Sequence, residues 1–374
     1  MPFFYKEDIM ASKCIALLLA AIMSVSMLGC KDNAVSDVPS VPDTGVSDGA
    51  SSGSTSASDA EQPTSTDDYE EQYKLSNPNA TVEAQKLYDY INSVYTKQII
   101  SGQQESTWMA GGAEYEMNHI YEKTGKYPAM RGLDFMHMDF DGVVQRSIEW
   151  WEKGGIVTIC WHCGTDFTGE WTHSQQTEIA DWDAALTEGT PEYETLIAGM
   201  DMGAQALLRL QEAGVPVLWR PFHELDGGWF WWSKGGADNF VKLWQLMYDR
   251  YTNHWGLNNL IWVLGYSHSM GKDAVDWYPG DEYCDIVGGD SYTKGANQVL
   301  YRVCEYLIGD RKPICFHECG TIPTSEQLTD KGAKWCYFMT WHTDYITKEN
   351  DVDTLKQIYN DDYVITLDEL PSFR

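Results

Sequence analysis

The sequence feature that most constrains the fold is an alternation of short apolar runs with helical patterns. Eight runs have the length of β-strands: 98–101, 129–134, 156–162, 215–224, 260–264, 286–292, 313–318 and 336–341. Between them apolar residues recur at helical spacing, as Phe240, Trp244, Met247 and Tyr251 do. Near-continuous apolar strands separated by helices indicate a parallel sheet covered on both faces. Eight units predict a single (β/α)8 TIM barrel; an open doubly wound sheet is the alternative, but no glycine-rich phosphate loop follows the first run.

Polar and aromatic side chains are placed where these apolar runs end. Six of the runs end on such residues: the second on Asp134, the third on His162, the fourth on Glu224, the sixth on Tyr292, the seventh on Glu318 and the eighth on Trp341. In a parallel barrel the carboxyl ends of all strands meet on one face, and that face carries the active site. The sequence therefore predicts a functional site at that face.

The fourth run leads into the most unusual segment of the chain. His223 and Glu224 lie between an apolar stretch and four aromatic residues at 229–232. A carboxylate among aromatic rings is costly as an anion, so the pKa of Glu224 should be raised, as a general acid near neutral pH requires. Flat aromatic faces around an acid also suit a sugar ring. The alternative is a tryptophan-rich core with one hydrogen-bonded glutamate.

Glu224 and Glu318 are expected to face each other across the barrel mouth. They end the fourth and seventh runs, and two carboxyl groups flanking a scissile bond are what glycoside hydrolysis needs. One group stays protonated and gives its proton to the leaving oxygen, while the other attacks the anomeric carbon. A separation of roughly 5–5.5 Å would make the reaction retaining, and a wider one would make it inverting.

Residues 220–232, which read RPFHELDGGWFWW, closely resemble the acid/base signature of glycoside hydrolase family 26, best known for β-mannanases. The similarity runs from residue 99 to the end of the eighth run, with further matches at 256–263, 277–281 and 285–292. It implies a retaining barrel enzyme in which Glu224 is the acid/base on strand 4 and Glu318 the nucleophile on strand 7.

The resemblance also implies how substrate is bound. His223 would bind sugar hydroxyls and orient the catalytic pair, and Trp229 would stack on a sugar. Tyr292 would donate a hydrogen bond to the nucleophile, and Asp290 would help to shape that wall. The subsite of the reacting sugar would be lined by His162 and Trp341.

Two positions depart from the family pattern. The family usually carries Asn-Pro soon after the Trp-His of strand 3, whereas here residues 163–166 are Cys-Gly-Thr-Asp. The residue before the nucleophile is more often small or Thr, whereas here it is His317. Both positions lie near the expected subsites, so they affect substrate detail more than reaction class.

The prediction that follows is an endo-acting β-1,4-mannanase that cleaves mannan, galactomannan or glucomannan with a retaining mechanism. Mixed-linkage β-glucan, β-xylan and exo-acting release of mannobiose are the alternatives within the family. A non-catalytic glycan-binding protein is the alternative from another class. A metallohydrolase is disfavoured because neither His-Glu pair has the H-E-x-x-H spacing. No cofactor or metal is expected, and the protein is expected to be a monomer.

The N-terminal region is predicted to be a bacterial lipoprotein signal peptide, residues 1–29, with Met10 as the more natural start. Lys13 precedes an apolar stretch at 15–21, and Gly29 then precedes Cys30, which would carry the lipid. A retained transmembrane helix is the alternative, but this stretch is too short to span a bilayer. Residues 30–72 are rich in Ser, Asp and Pro, and they predict a flexible acidic linker before a catalytic domain at 73–374. The expected location is the bacterial cell envelope, including the outer-membrane surface.

Charge and cysteine content limit the partners. The net charge of −30 disfavours binding to nucleic acid and to anionic lipid, while a neutral polysaccharide is unaffected. The only membrane contact expected is the lipid on Cys30. Seven cysteines remain in the folded region, an odd number, and they are predicted to be buried apolar residues. Cys160 and Cys163 have metal-like or redox-like spacing, but no second C-x-x-C exists to complete a zinc site.

Overall fold

The computed structural model describes residues 74–267 and 272–374. The predicted signal peptide, the predicted lipidation site Cys30 and the predicted linker lie outside these described residues. Eight parallel strands form the centre of the fold: β1 (Ile99–Gln104), β2 (Met130–Asp134), β3 (Ile156–Cys160), β4 (Val217–Arg220), β5 (Leu260–Tyr266), β6 (Ile286–Ser291), β7 (Ile314–Cys319) and β8 (Tyr337–Thr340). Each strand pairs with the next, and β1 pairs with both β8 and β2, so the sheet closes on itself. The predicted (β/α)8 barrel is confirmed.

Helices cover the outside of this barrel: α1 (Val82–Val94), α2 (Tyr115–Thr124), α3 (Phe140–Glu152), α4 (Trp171–Gln176), α5 (Trp182–Ala185), α6 (Pro191–Glu212), α7 (Trp231–Lys234), α8 (Ala237–Asp249), α9 (Gln298–Ile308), α10 (Ser325–Lys331) and α11 (Val352–Tyr359). The expected regular alternation is interrupted after β5. There the described residues contain only the 3-10 segments Lys272–Trp277 and Asp281–Tyr283 before β6 begins. Within 74–267 and 272–374 no helix is long and apolar enough to cross a lipid bilayer.

Helix α6 shows how local sequence sets these elements. Thr190 precedes it, and its hydroxyl accepts a hydrogen bond from the backbone N–H of Tyr193 at 3.1 Å. Pro191 stands at the first helical position, where a missing N–H costs nothing. The apolar residues that recur at helical spacing are buried against the barrel, including Met200 and Leu207.

A ninth strand was not predicted. Residues Val364–Ile365, here β9, pair in parallel with Ile99 and Ile100 at the start of β1. The hydroxyl of Ser101 adds a hydrogen bond to the carbonyl of Ile365 at 2.7 Å. Two residues are too few to produce a recognisable apolar pattern, so only tertiary pairing defines this strand.

Several strands end earlier than the apolar runs suggested. Glu224 was expected at the end of strand 4, but β4 stops at Arg220 and Glu224 lies in the following loop. Pro221 explains the end of the strand, because proline has no N–H to donate to the sheet. His162 lies two residues beyond the end of β3 at Cys160. Tyr292 and Trp341 each lie one residue beyond their strands, because β6 ends at Ser291 and β8 ends at Thr340.

The cysteine prediction is confirmed for the part of the chain that the structure describes. All seven cysteines there are buried and unpaired: Cys160, Cys163, Cys284, Cys304, Cys315, Cys319 and Cys336. Sγ of Cys160 lies 3.6 Å from the carbonyl of Leu133, whereas Sγ of Cys163 lies 3.9 Å from that of Trp161. Burial raises the pKa of both thiols, so both are neutral and unreactive.

Candidate active site

Glu224 is held in a strained backbone conformation at the carboxyl end of the barrel. Its φ is 52° and that of Phe222 is 50°, in the left-handed region that costs a residue other than glycine about 1–3 kcal/mol. The next residues anchor the loop to β5. The N–H of Leu225 donates to the carbonyl of Gly265 at 3.2 Å, and a carboxylate oxygen of Asp226 accepts from the N–H of Ser267 at 2.7 Å. This anchoring fixes the direction of the Glu224 side chain.

Glu318 is buried on β7 and held by two strong donors. Oε1 accepts from Nη1 of Arg220 at 2.7 Å, and Oε2 accepts from the hydroxyl of Tyr292 at 2.7 Å. Nε2 of His223 lies 3.5 Å from Oε1. Both carboxylate oxygens are therefore occupied by groups that favour the anion, as an attacking carboxylate requires.

An irregularity in β7 brings two consecutive side chains to the inside of the barrel. The pairing register of β7 with β8 shifts between Phe316 and Cys319. As a result His317 and Glu318 both contact Nη1 of Arg220, at 3.0 Å and 2.7 Å, although neighbours on a regular strand point to opposite faces. A bulge re-aims a side chain in this way next to many active sites.

The environment of Glu224 favours its protonated form. Burial, and after it the nearby charge of Glu318, raises the pKa of Glu224, and its net value is about 8. The indole N–H of Trp229, 2.6 Å from Oε2 of Glu224, lowers that pKa, as does the positive charge of Arg220. The balance keeps Glu224 protonated at neutral pH beside an anionic Glu318. Environments that separate two carboxyl groups in this way assign one as acid and the other as nucleophile.

A chain of hydrogen bonds reaches Glu318 from the opposite wall. Oδ2 of Asp134 lies 2.6 Å from Nδ1 of His162, and Nε2 of His162 lies 3.0 Å from Nε2 of His223. Because the other Asp134 oxygen accepts two backbone N–H groups, Asp134 is an acceptor throughout, and Nδ1 of His162 carries the proton. Nε2 of His162 then accepts from His223, whose N–H also points towards Glu318. Burial, and then Arg220, lowers the pKa of His223 well below its usual value, so this ring is neutral.

Asp290 and His317 form a neutral buried pair beside the nucleophile. Oδ1 of Asp290 contacts Nδ1 of His317, and both side chains are buried. Burial, and then Glu318, raises the pKa of Asp290 well above its usual value, whereas burial lowers that of His317. Both directions favour the neutral form of these side chains. Arg220 is left with Glu318 as its ionic partner, at 2.7 Å, while Oδ2 of Asp290 lies 3.8 Å from Nη1 of Arg220.

The four tryptophans predicted around the site differ in exposure. Trp229 is 36% exposed, and besides offering a ring face it donates to Glu224. Trp341 faces His162 with ring centroids 6.1 Å apart. Trp231 and Trp232 are fully buried and act in packing, with their N–H groups on the carbonyls of Cys163 and His223.

The structure adds two residues to which the sequence reasoning gave no role. Arg220 is the ionic partner of Glu318, and Asp134 orients His162. Each left a signal in the sequence: an arginine inside an apolar run, and an aspartate at the end of another. A buried charge needs a partner, and these charges find theirs in the site.

Two groups of side chains have metal-binding atom types within 4.8 Å of one another: Asp134 with Cys160 and His162, and Asp290 with His317 and Glu318. Their existing contacts do not suit a cation. In the second group the guanidinium of Arg220 already supplies the positive charge. In the first, both oxygens of Asp134 are engaged and the thiol of Cys160 is held neutral by burial. The residues fit a site that works without a metal.

Comparison with known proteins gives one family. A family profile described as glycosyl hydrolase family 26 matches residues 76–369. A mannan endo-1,4-β-mannosidase from Thermothelomyces thermophilus is 38% identical over 321 residues, which cover 80% of this chain and 64% of the relative. Mannan endo-1,4-β-mannosidase B from Piromyces sp is 36% identical over 315 residues, covering 80% of this chain and 54% of that protein. The chain thus spans about half to two thirds of the length of these curated relatives.

Solved structures agree with the family profile. A ruminal GH26 endo-β-1,4-mannanase superposes with a TM-score of 0.75 at 36% identity, over 80% of this chain and 71% of that one. A β-mannanase from a symbiotic protist of the termite Reticulitermes speratus, solved with a gluco-manno-oligosaccharide, gives a TM-score of 0.73 at 32% identity, over 80% and 98%. Residues 76–369, which the family profile matches, include all eight strands of the barrel. The chain therefore belongs to glycosyl hydrolase family 26.

Proposed function

We propose that this chain is an endo-acting β-1,4-mannanase that hydrolyses mannan, galactomannan or glucomannan with retention of anomeric configuration. The observation that carries the proposal is the pair formed by a protonated Glu224 and an anionic Glu318 at the carboxyl end of one barrel. The family relatives described as mannan endo-1,4-β-mannosidases support the choice of mannan.

In the first step Glu318 attacks the anomeric carbon of the reacting sugar. The bond from that carbon to the glycosidic oxygen breaks, and Glu224 transfers its proton to the leaving oxygen. The enzyme then carries the sugar as an ester on Glu318. Arg220 and Tyr292 fix the attacking carboxylate before the reaction, so that little reorganisation is needed when its charge is lost.

In the second step Glu224, now ionised, takes a proton from water, and the resulting nucleophile attacks the anomeric carbon. The ester bond breaks, and Glu318 leaves as a carboxylate. The change of role from acid to base follows from the electrostatics. The charge of Glu318 helps to raise the pKa of Glu224, and once Glu318 is a neutral ester that contribution disappears and the pKa falls.

The remaining polar groups are placed to bind the reacting sugar. Nε2 of His223, a neutral ring, lies 3.0 Å from Nε2 of His162 beside Glu318, and imidazole nitrogens can donate to or accept from hydroxyl groups. Trp341 faces His162 and offers an apolar surface to the sugar. Trp229, next to Glu224, offers a ring face to the sugar that leaves.

The experiment that tests this function compares release of reducing sugar from mannan, lichenan and xylan by the wild type and by Glu318→Ala. We expect the highest kcat/KM on mannan and a loss of at least about 10⁴-fold in the variant, of the order found when a catalytic nucleophile is removed. NMR of the first product should show the β-anomer. Preference for lichenan or xylan would reject the mannan assignment, and an α-anomer would reject the retaining mechanism.

The mode of attack requires a separate measurement. A ladder of mannan oligomers at early times is expected from an endo-acting enzyme, whereas mannobiose alone would indicate exo-acting release. The non-catalytic alternative predicts glycan binding with no hydrolysis by the wild type. The intact Glu224 and Glu318 pair favours catalysis over that alternative.

We propose further that Cys30 is lipidated and ties the enzyme to the bacterial cell envelope through residues 31–72. The support is the apolar stretch that ends in Gly29-Cys30 and the acidic Ser-rich and Pro-rich segment that follows. Cells fed a radiolabelled fatty acid should label the wild type but not Cys30→Ser. An unlabelled wild type would reject the proposal.

A further inference from the structure

The side chain of Tyr292 is unusually exposed for a group that holds the proposed nucleophile. Its hydroxyl donates to Oε2 of Glu318 at 2.7 Å, yet the side chain is 39% exposed and lies one residue beyond the end of β6. A side chain that is not enclosed loses rotamer freedom when it is fixed, and this loss of entropy opposes a single position. The hydrogen bond to Glu318 therefore depends on what packs against the ring of Tyr292.

The ring of Tyr345, in the loop after β8, packs against the ring of Tyr292. Their centroids are 4.8 Å apart, and the ring planes are tilted by 44°. The backbone of Gly320, two residues after Glu318, lies against the edges of both rings. A Cβ at Gly320 would be 3.1 Å from Cδ1 of Tyr345 and 3.2 Å from Cδ1 of Tyr292. A side chain at this position would press on both rings, so glycine keeps the space in which they meet.

A buried asparagine ties the loop after β7 to the loop after β8. Nδ2 of Asn350 donates to the carbonyl of Gly320 at 2.8 Å and to the carbonyl of Tyr345 at 2.7 Å. Oδ1 of Asn350 accepts from the N–H of Ile322 at 2.9 Å. Because the amide uses both its hydrogens and its oxygen, its orientation is defined. The backbone of Tyr345 is thereby fixed relative to the strand that carries Glu318.

The backbone around Tyr345 also has an unusual conformation. Tyr345–Glu349 form a π-helical turn, and Thr343, two residues before it, has a φ of 55°. π-Helical turns are rare and occur frequently at functional sites. A left-handed conformation is costly for threonine, and it persists only where the surrounding structure imposes it. The chain therefore accepts a cost in backbone energy at the segment that places Tyr345 against Tyr292.

We propose that Tyr345 is a positioning residue for the attack by Glu318: its ring holds Tyr292 with the hydroxyl on Oε2, and Asn350 holds Tyr345 in place. The inference rests on the proposed function, in which Tyr292 fixes the attacking carboxylate. Tyr345 acts through Tyr292, and the ring rather than the hydroxyl of Tyr345 is what matters. Without this ring the side chain of Tyr292 turns towards solvent, and Glu318 keeps Arg220 as its close donor.

The first test compares Tyr345→Ala and Tyr345→Phe with the wild type on mannan. In Tyr345→Ala, kcat should fall on the order of 10- to 100-fold with little change in KM, as when a reacting group is displaced by about 1 Å. Tyr345→Phe keeps the ring and should restore kcat. A rise in KM alone would show that Tyr345 binds sugar, and equal losses in both variants would assign the role to its hydroxyl. Either result would overturn the proposal.

Tyr121→Ala is the matched control. Tyr121 is an exposed tyrosine of α2 that stacks on a second tyrosine, Tyr127, with centroids 4.4 Å apart. Both residues precede β2, at the end of the barrel opposite the candidate site. Loss of a ring from this pair should leave kcat unchanged.

A double-mutant cycle separates positioning of Tyr292 from a general loss of stability. Once Tyr292→Phe has removed the hydroxyl, Tyr345→Ala should lower kcat little further, because no hydrogen bond from Tyr292 to Glu318 is left to align. A loss of stability, measured by urea denaturation, should instead be similar in both backgrounds. Equal losses of kcat in the two backgrounds would refute the positioning role.

Asn350→Asp tests the link between the two loops. Carboxylate oxygens cannot donate to the carbonyls of Gly320 and Tyr345, so kcat should fall as in Tyr345→Ala. Circular dichroism checks that the variant is folded, and a folded variant with the kcat of the wild type would exclude Asn350 from the mechanism. Should Asn350→Asp fail to fold, the Tyr345 variants still decide the proposal.

A measurement without substrate distinguishes failure of this inference from failure of the proposed function. In protein labelled with ¹³C at tyrosine Cζ, the NMR signal of Tyr292, assigned by its loss in Tyr292→Phe, reports the hydrogen bond of the hydroxyl. The signal should move in Tyr345→Ala and stay in place in Tyr345→Phe. An unmoved signal in Tyr345→Ala would overturn the inference, whatever glycan the enzyme hydrolyses. A wild type that hydrolyses none of mannan, lichenan and xylan would reject the proposed function instead.

Discussion

Nε1 of Trp229 lies 2.6 Å from Oε2 of Glu224, so the ring expected to stack on a sugar also donates to the proposed catalytic acid. This hydrogen bond lowers the pKa of Glu224. Trp229→Phe keeps a ring but removes the donor, so the pKa should rise by about one unit, because one unit corresponds to 1.36 kcal/mol and such bonds contribute about 1.5–3 kcal/mol. The measurement is the pH dependence of kcat/KM, whose alkaline limb should move to higher pH.

Trp229→Ala serves as the comparison for this prediction. It should move the alkaline limb by a similar amount and should also raise KM, because the ring face is lost as well. An alkaline limb that stays in place in Trp229→Phe would show that the hydrogen bond does not influence the protonation of Glu224.

The unmodified enzyme should lose activity as the pH rises through about 8. Glu224 must be protonated to act as the acid, and its pKa is raised to about 8, first by burial and then by the charge of Glu318. The alkaline limb of kcat/KM reports the free enzyme, so its midpoint should lie near that value. A midpoint near the ordinary glutamate pKa would contradict the assignment of Glu224 as the acid.

Glu318→Gln isolates the contribution of the Glu318 charge to the raised pKa of Glu224. The variant removes the negative charge and keeps the size of the side chain, so the pKa of Glu224 should fall. A titration of the ¹³C-labelled glutamate carboxyl by NMR measures it without requiring activity, and Glu326→Gln on the outer helix α10 is the control for surface charge. An unchanged or increased pKa would show that the two carboxyl groups do not interact.

The sequence predicted that Glu224 and Glu318 lie near each other because of one geometric rule. Glu224 and Glu318 follow different strands, and the carboxyl ends of all strands in a parallel barrel meet on one face. The rule does not depend on the exact bounds of the strands, so it held although β4 ends at Arg220, well before Glu224. The resemblance of residues 220–232 to family 26 supplied the division into acid and nucleophile.

Contacts that depend on register were not predictable in the same way. The bond of Arg220 to Glu318 joins residues 98 positions apart, and it exists because β7 shifts its register near His317. The left-handed backbone at Glu224 also left no local signal, because glutamate does not favour that conformation. Such features arise from tertiary packing, and a periodic pattern of apolar residues carries no information about them.

Asp134 should prove to be a positioning residue that acts through His162 and His223. In Asp134→Asn the side-chain NH2 group must face either Nδ1 of His162 or the backbone N–H groups that now donate hydrogen bonds to Asp134. If the NH2 group faces Nδ1 of His162, the proton of that ring moves to Nε2. His223 then accepts a hydrogen bond from His162 and no longer donates towards Glu318. We expect kcat to fall on the order of 10- to 100-fold, as for other residues that orient a catalytic group.

A positioning role for Asp134 is distinguished from other roles by which kinetic constant changes, kcat or KM. KM should change little in Asp134→Asn, and ¹⁵N NMR of the His162 ring should show the proton moved from Nδ1 to Nε2. Asp141→Asn is a matched control, because Asp141 lies on the exposed surface of α3 and pairs only with an exposed arginine. A fall in kcat without a change of tautomer would assign Asp134 a different role.

Glycine should prove to be required at position 265 because a side chain there would occupy the space of the His317 ring in the core of the barrel. A Cβ at Gly265 would overlap Nε2 of His317, and that ring is buried. Gly265→Ala should therefore lower the free energy of unfolding by about 1–3 kcal/mol, as overpacking does. It should also lower kcat, because His317 contacts the Arg220 that holds Glu318. Urea denaturation and steady-state kinetics measure the two effects.

The double variant Gly265→Ala with His317→Thr decides whether overlap with His317 causes the loss of stability in Gly265→Ala. Threonine is smaller than histidine, and it leaves room for the added methyl group. The cost of Gly265→Ala should be much smaller in the His317→Thr background than in the wild type, giving a coupling energy of about 1 kcal/mol or more. Equal costs in both backgrounds would show that Gly265 is required for some reason other than the space it leaves for His317.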